Sequence, residues 1–148
     1  PRGVAGRADA GDAGGAAMTV HRLAVRVYYE DTDFAGIVYH ANHLKFFERG
    51  RTEALRDAGV DQTRLREAHG LVFVVARMDV RWRRPARFDD LLTIETRMDH
   101  VGAAALDLTQ RALLGETVCA EAAVRCGAMT LDGRVARMPA ETRAALLR

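Results

Sequence analysis

Residues 28–42, YYEDTDFAGIVYHAN, concentrate acids, aromatics and an imidazole where the chain passes from one periodicity to another. Three carboxylates, Glu30, Asp31 and Asp33, crowd in front of Gly36. The plainest reading makes them caps and solvating charges of a strand-to-helix turn. An Asp-x-Asp pair also serves metal-dependent phosphoryl transfer, but that chemistry needs further downstream acids and a larger α/β body, and neither is visible. His40 and His43 stand i,i+3 apart without the Glu-containing histidine motif or cysteine pair that would accompany them in a zinc site. What the stretch does supply is a carboxylate on a turn beside the unpaired N–H groups of a helix start. An ester or thioester carbonyl lying there would have its developing oxyanion met by those N–H groups while the carboxylate attacked it or activated water. A thioester suits so small an apparatus, because its thiolate leaves readily and its carbonyl has little resonance stabilisation. Each of the two elements is worth about 10² to 10³-fold in rate.

A second feature is RWRRPAR, residues 81–87, which holds four arginines and no acid. Trp82 falls on an apolar strand face, so Arg81 and Arg83 point the other way, while Arg84 and Arg87 flank the Pro85 turn. A solvated strand end is the default; the functional reading is a phosphate clamp, for which guanidinium forks are suited. Nucleic acid is a poor fit, because the net charge is only +2 and no exposed aromatics interleave the arginines. The basic residues are 21 arginines and one lysine, Lys45, a skew that fits a GC-rich coding sequence at least as well as an anion-binding function.

The elements that must position these groups follow from hydropathy periods. Leu23, Val25, Val27 and Tyr29 alternate with polar positions and predict a first strand with Tyr29 on its apolar face. Over residues 42–58 the spacing becomes helical, with Leu44, Phe47, Ala54, Leu55 and Ala58 on one side and Gly59 placed to end the helix. A short helical turn is expected at residues 61–68. Alternation then returns on even-numbered positions: Val72, Val74, Ala76, Met78, Val80 and Trp82; Leu92, Ile94 and Met98; Leu106, Leu108, Ala112 and Leu114; and Val118, Ala120, Ala122, Val124, Cys126 and Ala128. Pro85 with Asp89 and Asp90, then Gly102 and Gly115, separate these into four strands. A short helix is expected near residues 139–147.

The order β-α-β-β-β-β packs most simply as an α+β fold, a five-stranded antiparallel sheet wrapped around one long helix. At 148 residues the chain suits a single domain. Its 26 alanines and 9 aromatics make a thin core, and an open sheet has exposed edges, so at least a homodimer is expected. Residues 1–17, PRGVAGRADAGDAGGAA, have no periodic apolar face and no signal-peptide h-region, and are read as a disordered leader before a folded domain at 18–148. Cys119 and Cys126 share one strand, more than about 20 Å apart, too far for a disulfide. They are read as buried thiols. No apolar run is long enough for membrane insertion.

The run VYYEDTDFAGIVYHANHLKFFERGRTEALRDAG resembles the opening of the 4-hydroxybenzoyl-CoA thioesterase family of hotdog folds. FVVARMDVRWRRPARFDDLLTIET and LTQRALLGETVCAEAAVRC agree with it, so the likeness covers nearly all of residues 25–138. Within the family it is most similar to the bacterial acyl-CoA thioesterases associated with the Tol-Pal cell-envelope system. The resemblance implies a hotdog fold in which Asp33 is the catalytic carboxylate, acting as nucleophile or general base. It implies that the His40 backbone N–H polarises the thioester carbonyl and that Tyr29 and the His40 side chain join the site.

The implied reaction is hydrolysis of an acyl-CoA to a free acid and coenzyme A, with no metal and no organic cofactor, in the cytoplasm. The pantetheine arm would thread along a subunit interface of a homodimer or homotetramer, with the nucleotide phosphates among Arg81, Arg83, Arg84 and Arg87. Alternatives are a thioesterase acting on acyl carrier protein, a hotdog dehydratase with His40 as principal acid/base, and a non-catalytic acyl-CoA-binding protein. Gly50 stands where relatives usually carry alanine, a difference expected to weaken the helix by up to about 1 kcal/mol.

Overall fold

The helix expected at residues 42–58 forms as α1 (Asn42–Asp57) in a computed structural model that describes residues 19–148. The leader expected over residues 1–17, with Met18, lies outside the described residues. Around α1 stand β1 (Val20–Arg26), β2 (Leu71–Trp82), β3 (Leu91–Val101), β4 (Ala105–Leu114) and β5 (Thr117–Thr130), with two shorter helices, α2 (Gln62–His69) and α3 (Ala140–Leu146). The strands make one antiparallel sheet in the order β1-β3-β4-β5-β2, leaving β1 and β2 at the edges. Element order and sheet are those the periodicity predicts. Among the described residues no helix is long and apolar enough to cross a membrane, and both cysteines are free and buried.

The sheet accepts the helix by size complementarity. Phe46 and Phe47 of α1 are fully buried against a floor that includes Ile94, Leu106, Ala112, Ala120 and Ala122. Alanines in the strands leave room for rings on the helix, which is where the alanine-rich composition finds its use. Gly50 completes the fit: a Cβ there would sit 2.8 Å from Ile94 Cγ2 and 3.1 Å from Gln110 Nε2. The helix face is accordingly centred on His43, Phe46, Phe47, Gly50, Ala54 and Leu55, not on the set with Leu44 and Ala58. Gln110, fully buried at a position the apolar pattern passes over, donates from Nε2 to Phe47 O and Thr96 Oγ1, both at 2.8 Å, and accepts from Arg51 Nη1 at 3.0 Å.

Three bulges interrupt the even-numbered phase. In β2 the register slips between Val75 and Arg77. Before the slip Phe73 and Val75 oppose Ala128 and Cys126; after it Met78, Val80 and Trp82 oppose Val124, Ala122 and Ala120. Val72, Val74 and Ala76 therefore lie off the inner face, and Phe73 packs on the core instead. A second slip between Met98 and His100 brings Val101 inward, and a third, where β5 pairs with β4, makes Cys119 the extra residue between Val118 and Ala120 and buries it, leaving Val118 off the predicted phase. An extra residue in one strand reverses every side chain beyond it.

Candidate active site

The chain between β1 and α1 folds as a small hairpin closed by its own acids. Asp31 is buried: its Oδ2 accepts the Tyr28 N–H at 2.8 Å and its Oδ1 accepts Asn42 Nδ2 at 3.2 Å. Asp31 therefore caps the turn that ends the first strand and fastens it to the first residue of α1. Thr32 bridges Val38, Tyr39 N donates to Asp31 O at 2.9 Å, and Asp33 N donates to Ile37 O at 3.0 Å. The tip closes through Gly36, whose N–H donates to Asp33 O at 2.9 Å with φ at 78°, a left-handed conformation that favours glycine.

Asp33 sits at this tip with a different bonding pattern. One oxygen, Oδ1, accepts the Ala35 N–H at 2.9 Å, and among the described residues Oδ2 has no donor. The side chain is partly exposed. Two like residues two positions apart thus divide their roles: Asp31 is locked into the scaffold, and Asp33 presents an oriented carboxylate with an oxygen to offer.

Tyr29 departs from expectation. The strand ends at Arg26, and Tyr29 opens a one-turn 3-10 helix, 83% exposed, instead of packing on the apolar face. The cause is the Asp31 carboxylate, which takes the Tyr28 N–H that a longer strand would have used. Tyr29 thereby stands exposed, as do Tyr28, Phe34 and Tyr39.

His40 lies at the entrance to α1. Its ring meets Tyr39 at 4.5 Å between centroids and Trp82 edge-on at 5.7 Å. Its carbonyl accepts the Trp82 indole Nε1–H at 3.0 Å. Among the described residues neither the His40 N–H nor the Ala41 N–H finds an acceptor, so the helix start offers the donors that the sequence suggested. His43 points elsewhere, buried edge-on to Phe46 at 5.9 Å, and burial lowers its pKa to about 4. The two histidines do not converge, and among the described residues no group of three His, Cys, Asp or Glu side chains gathers as a metal site.

The arginine cluster is brought to the hairpin by backbone. Val38 N donates to Ala86 O at 2.8 Å and both residues are buried, so the loop after β2 is fastened to the site loop. Arg84 and Arg87 flank that contact and are exposed. Arg84 Nη1 donates to its neighbour's carbonyl at 2.8 Å. Arg81 is exposed on the outer sheet face, in register with Glu121. Arg83 is already engaged, its Nε donating to the buried Glu121 at 2.6 Å. Trp82, half exposed at 49% with its N–H bound to His40 O, is the site residue that the sequence pattern assigned to the core.

Comparison with known proteins places the chain in a family. The thioesterase-like superfamily matches residues 27–146. The acyl-CoA thioester hydrolase YbgC of Escherichia coli O6:H1 is 46% identical over 98 residues, 66% of this chain and 72% of that protein. The acyl-CoA thioesterase YbgC of Haemophilus influenzae is 40% identical over 122 residues, 82% of this chain and 90% of its own. Among solved structures, a probable thioesterase of Bartonella henselae superposes with a TM-score of 0.78 at 43% identity, covering 82% of this chain and all of that one (100%). The hypothetical protein TT1821 of Thermus thermophilus gives 0.79 at 29% identity, covering 85% of this chain and 96% of that one. With the family matched from the end of β1 to the end of α3, and the sheet wrapped on one helix that its solved members share, this chain belongs to the thioesterase-like superfamily and has the hotdog fold.

Proposed function

We propose that the chain hydrolyses acyl-CoA thioesters to a free acid and coenzyme A, with Asp33 as the reacting carboxylate and the His40 N–H as donor to the acyl oxygen. The observation that carries this reading is the contrast between the two aspartates: Asp31 has both oxygens engaged and is buried, while Asp33 keeps Oδ2 available at a turn fixed by Gly36. Asp33 either takes a proton from water as that water attacks the carbonyl carbon, or attacks it directly to give a mixed anhydride that water then opens. In both routes the carbon–sulfur bond breaks and the thiolate leaves to be protonated by solvent. Tyr29 and the His40 imidazole line the approach, and Arg81, Arg84 and Arg87 are placed for the nucleotide phosphates, with Arg83 held back by Glu121.

Replacing Asp33 with asparagine is the decisive experiment. Thiol release from a panel of short acyl-CoA substrates should fall by about 10² to 10⁴-fold, the worth of a positioned carboxylate, while the circular dichroism spectrum stays unchanged. Rates equal to the parent protein's would remove Asp33 from the mechanism. Oxygen-18 from water appearing in the Asp33 carboxylate after a single turnover selects the anhydride route, because a water activated by Asp33 labels only the released acid.

The same proposal includes an assembly. β2 is an edge strand of 12 residues with Val75 and Trp82 half exposed, and a bare edge invites pairing. A second copy along β2 gives a homodimer, able to pair again as a homotetramer, and light scattering should then report a multiple of the 16.3 kDa chain mass. A cytoplasmic location and a link to the Tol-Pal envelope system extend from the same kinship. Acyl carrier protein, which presents its acyl group on the same phosphopantetheine thioester, is the alternative carrier, and competing it against acyl-CoA in the thiol assay separates the two.

A further inference from the structure

Two consecutive peptide planes precede α1, and each is gripped by its carbonyl. The plane between Tyr39 and His40 is held by the Asn42 backbone N–H, which donates to Tyr39 O at 2.7 Å. The plane between His40 and Ala41 is held by the Trp82 indole, which donates to His40 O at 3.0 Å. A trans peptide is rigid and sets its N–H opposite its C=O. Gripping the two carbonyls therefore aims the two N–H groups, those of His40 and Ala41. Neither has an acceptor among the described residues, and Ala41 already has helical geometry, with φ −69° and ψ −21°, so its N–H belongs to the outward-facing donors of a helix start.

The anchor behind Trp82 is firm. Immediately after it, Arg83 N and Arg84 N both donate to Cys119 O, at 2.8 and 3.1 Å, and the Arg83 side chain pairs with Glu121. Trp82 is nevertheless half exposed. A tryptophan serving only the core would bury its ring; this one stands at the strand end and directs its N–H to a main-chain carbonyl 42 residues away in sequence.

We propose that Trp82 is a positioning residue for thioester hydrolysis: by holding the His40 carbonyl it aims the Ala41 N–H, beside the His40 N–H, as a second donor to the acyl oxygen. This rests on the assignment of Asp33 and His40 above. Trp82 acts through the main chain and does not touch the reacting atoms. Losing its hydrogen bond loosens one oxyanion donor without deleting it, so the effect is smaller than the 10² to 10³-fold that removing such a donor costs.

Two replacements isolate the indole N–H. Trp82→Phe keeps an aromatic ring and removes the donor. Because Trp82 is the chain's single tryptophan, global substitution of tryptophan by benzothienylalanine, which has sulfur in place of N–H, alters that position alone and preserves ring size. Both proteins should show kcat on acyl-CoA lowered about tenfold, the worth of one net hydrogen bond, with KM within about twofold of the parent and the melting temperature of the sulfur isostere unchanged. Full kcat in the sulfur isostere would overturn the proposal and leave Trp82 a packing residue. A raised KM with kcat intact would also overturn it, since Trp82 would then bind substrate. If Asp33→Asn abolishes turnover while both Trp82 replacements retain it, only this inference fails; if the parent protein releases no thiol from any acyl-CoA, the assignment beneath it fails as well.

Discussion

Asn42 donates its side-chain amide to Asp31 Oδ1 at 3.2 Å, tying the first residue of α1 to the loop that carries the acids. Asp31 holds the Tyr28 N–H with its other oxygen, so Asp31→Ala leaves two donors without their partner. Stability should fall by about 1–3 kcal/mol, the cost of losing two partly buried hydrogen bonds to a charged group. Asp33→Ala gives up one bond to an exposed turn and should cost less than about 1 kcal/mol. Urea denaturation of the two variants, set beside their thiol-release rates, should show stability lost mainly with Asp31 and turnover lost mainly with Asp33. Equal losses of stability would undo this division of labour.

Gly50→Ala tests the opposite of what helix propensity alone suggests. Alanine should gain about 1 kcal/mol in a helix interior, yet its Cβ would meet Ile94 Cγ2 at 2.8 Å and Thr96 Oγ1 at 3.0 Å. Ile94 is β-branched and fully buried, so it yields little, and overpacking costs about 1–3 kcal/mol. The net expectation is a loss of about 1 kcal/mol in chemical denaturation, with turnover retained. A stabilised variant would show that β3 gives way freely.

His43 makes stability depend on pH in a defined window. Burial lowers its folded-state pKa from 6.5 to about 4, so between these values the unfolded chain binds a proton that the folded chain refuses. His43 is therefore neutral and compatible with the fold above about pH 6.5, and stability drains away as pH falls from there toward 4, by at most about 3 kcal/mol. His43→Leu should flatten that part of the curve. Denaturation midpoints of parent and variant at pH 7 and pH 5 measure the difference, and parallel losses would exclude His43 as the source.

Much of the architecture is legible because alternation and helical spacing are properties of single segments. β1, α1 and the four later strands all stand near their predicted places. What was hidden belongs to pairs of segments. The bulge between Val75 and Arg77 exists only in the register of β2 against β5, and an uninterrupted run of apolar residues gives no sign of it. Tyr29 looked inward because its parity matched Val27; the Asp31 carboxylate that ends the strand acts through a hydrogen bond, which hydropathy does not register. Asp31 and Asp33 carry identical side chains, so only their partners distinguish the carboxylate engaged at both oxygens from the one engaged at a single oxygen. Trp82 shows the same limit, since its tie to His40 spans 42 residues. A buried glutamine at position 110 was invisible for a related reason: its acceptors, Phe47 O and Thr96 Oγ1, lie on two other elements.

Variants of the arginines beside the candidate site should separate binding from stability. Arg84 and Arg87 are exposed on the loop fastened through Ala86 to Val38, close to the hairpin that carries Asp33, and phosphate is recognised by such forks through charge-assisted bonds. The double variant Arg84→Ala, Arg87→Ala should raise KM for an acyl-CoA by about tenfold, with kcat little changed, since hydrogen bonds to charged groups contribute about 1.5–3 kcal/mol and exposure reduces that. An acyl-pantetheine, which has the same thioester but lacks the nucleotide, should be hydrolysed equally well by parent and variant. Added salt should narrow the difference seen with acyl-CoA, because exposed charges are screened. Arg83→Ala should behave otherwise: it strands Glu121, which is 5% exposed, and so should lower the melting temperature, because a buried carboxylate that loses its partner keeps its desolvation cost. If acyl-pantetheine turnover falls in step with acyl-CoA turnover in the double variant, these arginines support the loop and do not read the phosphates.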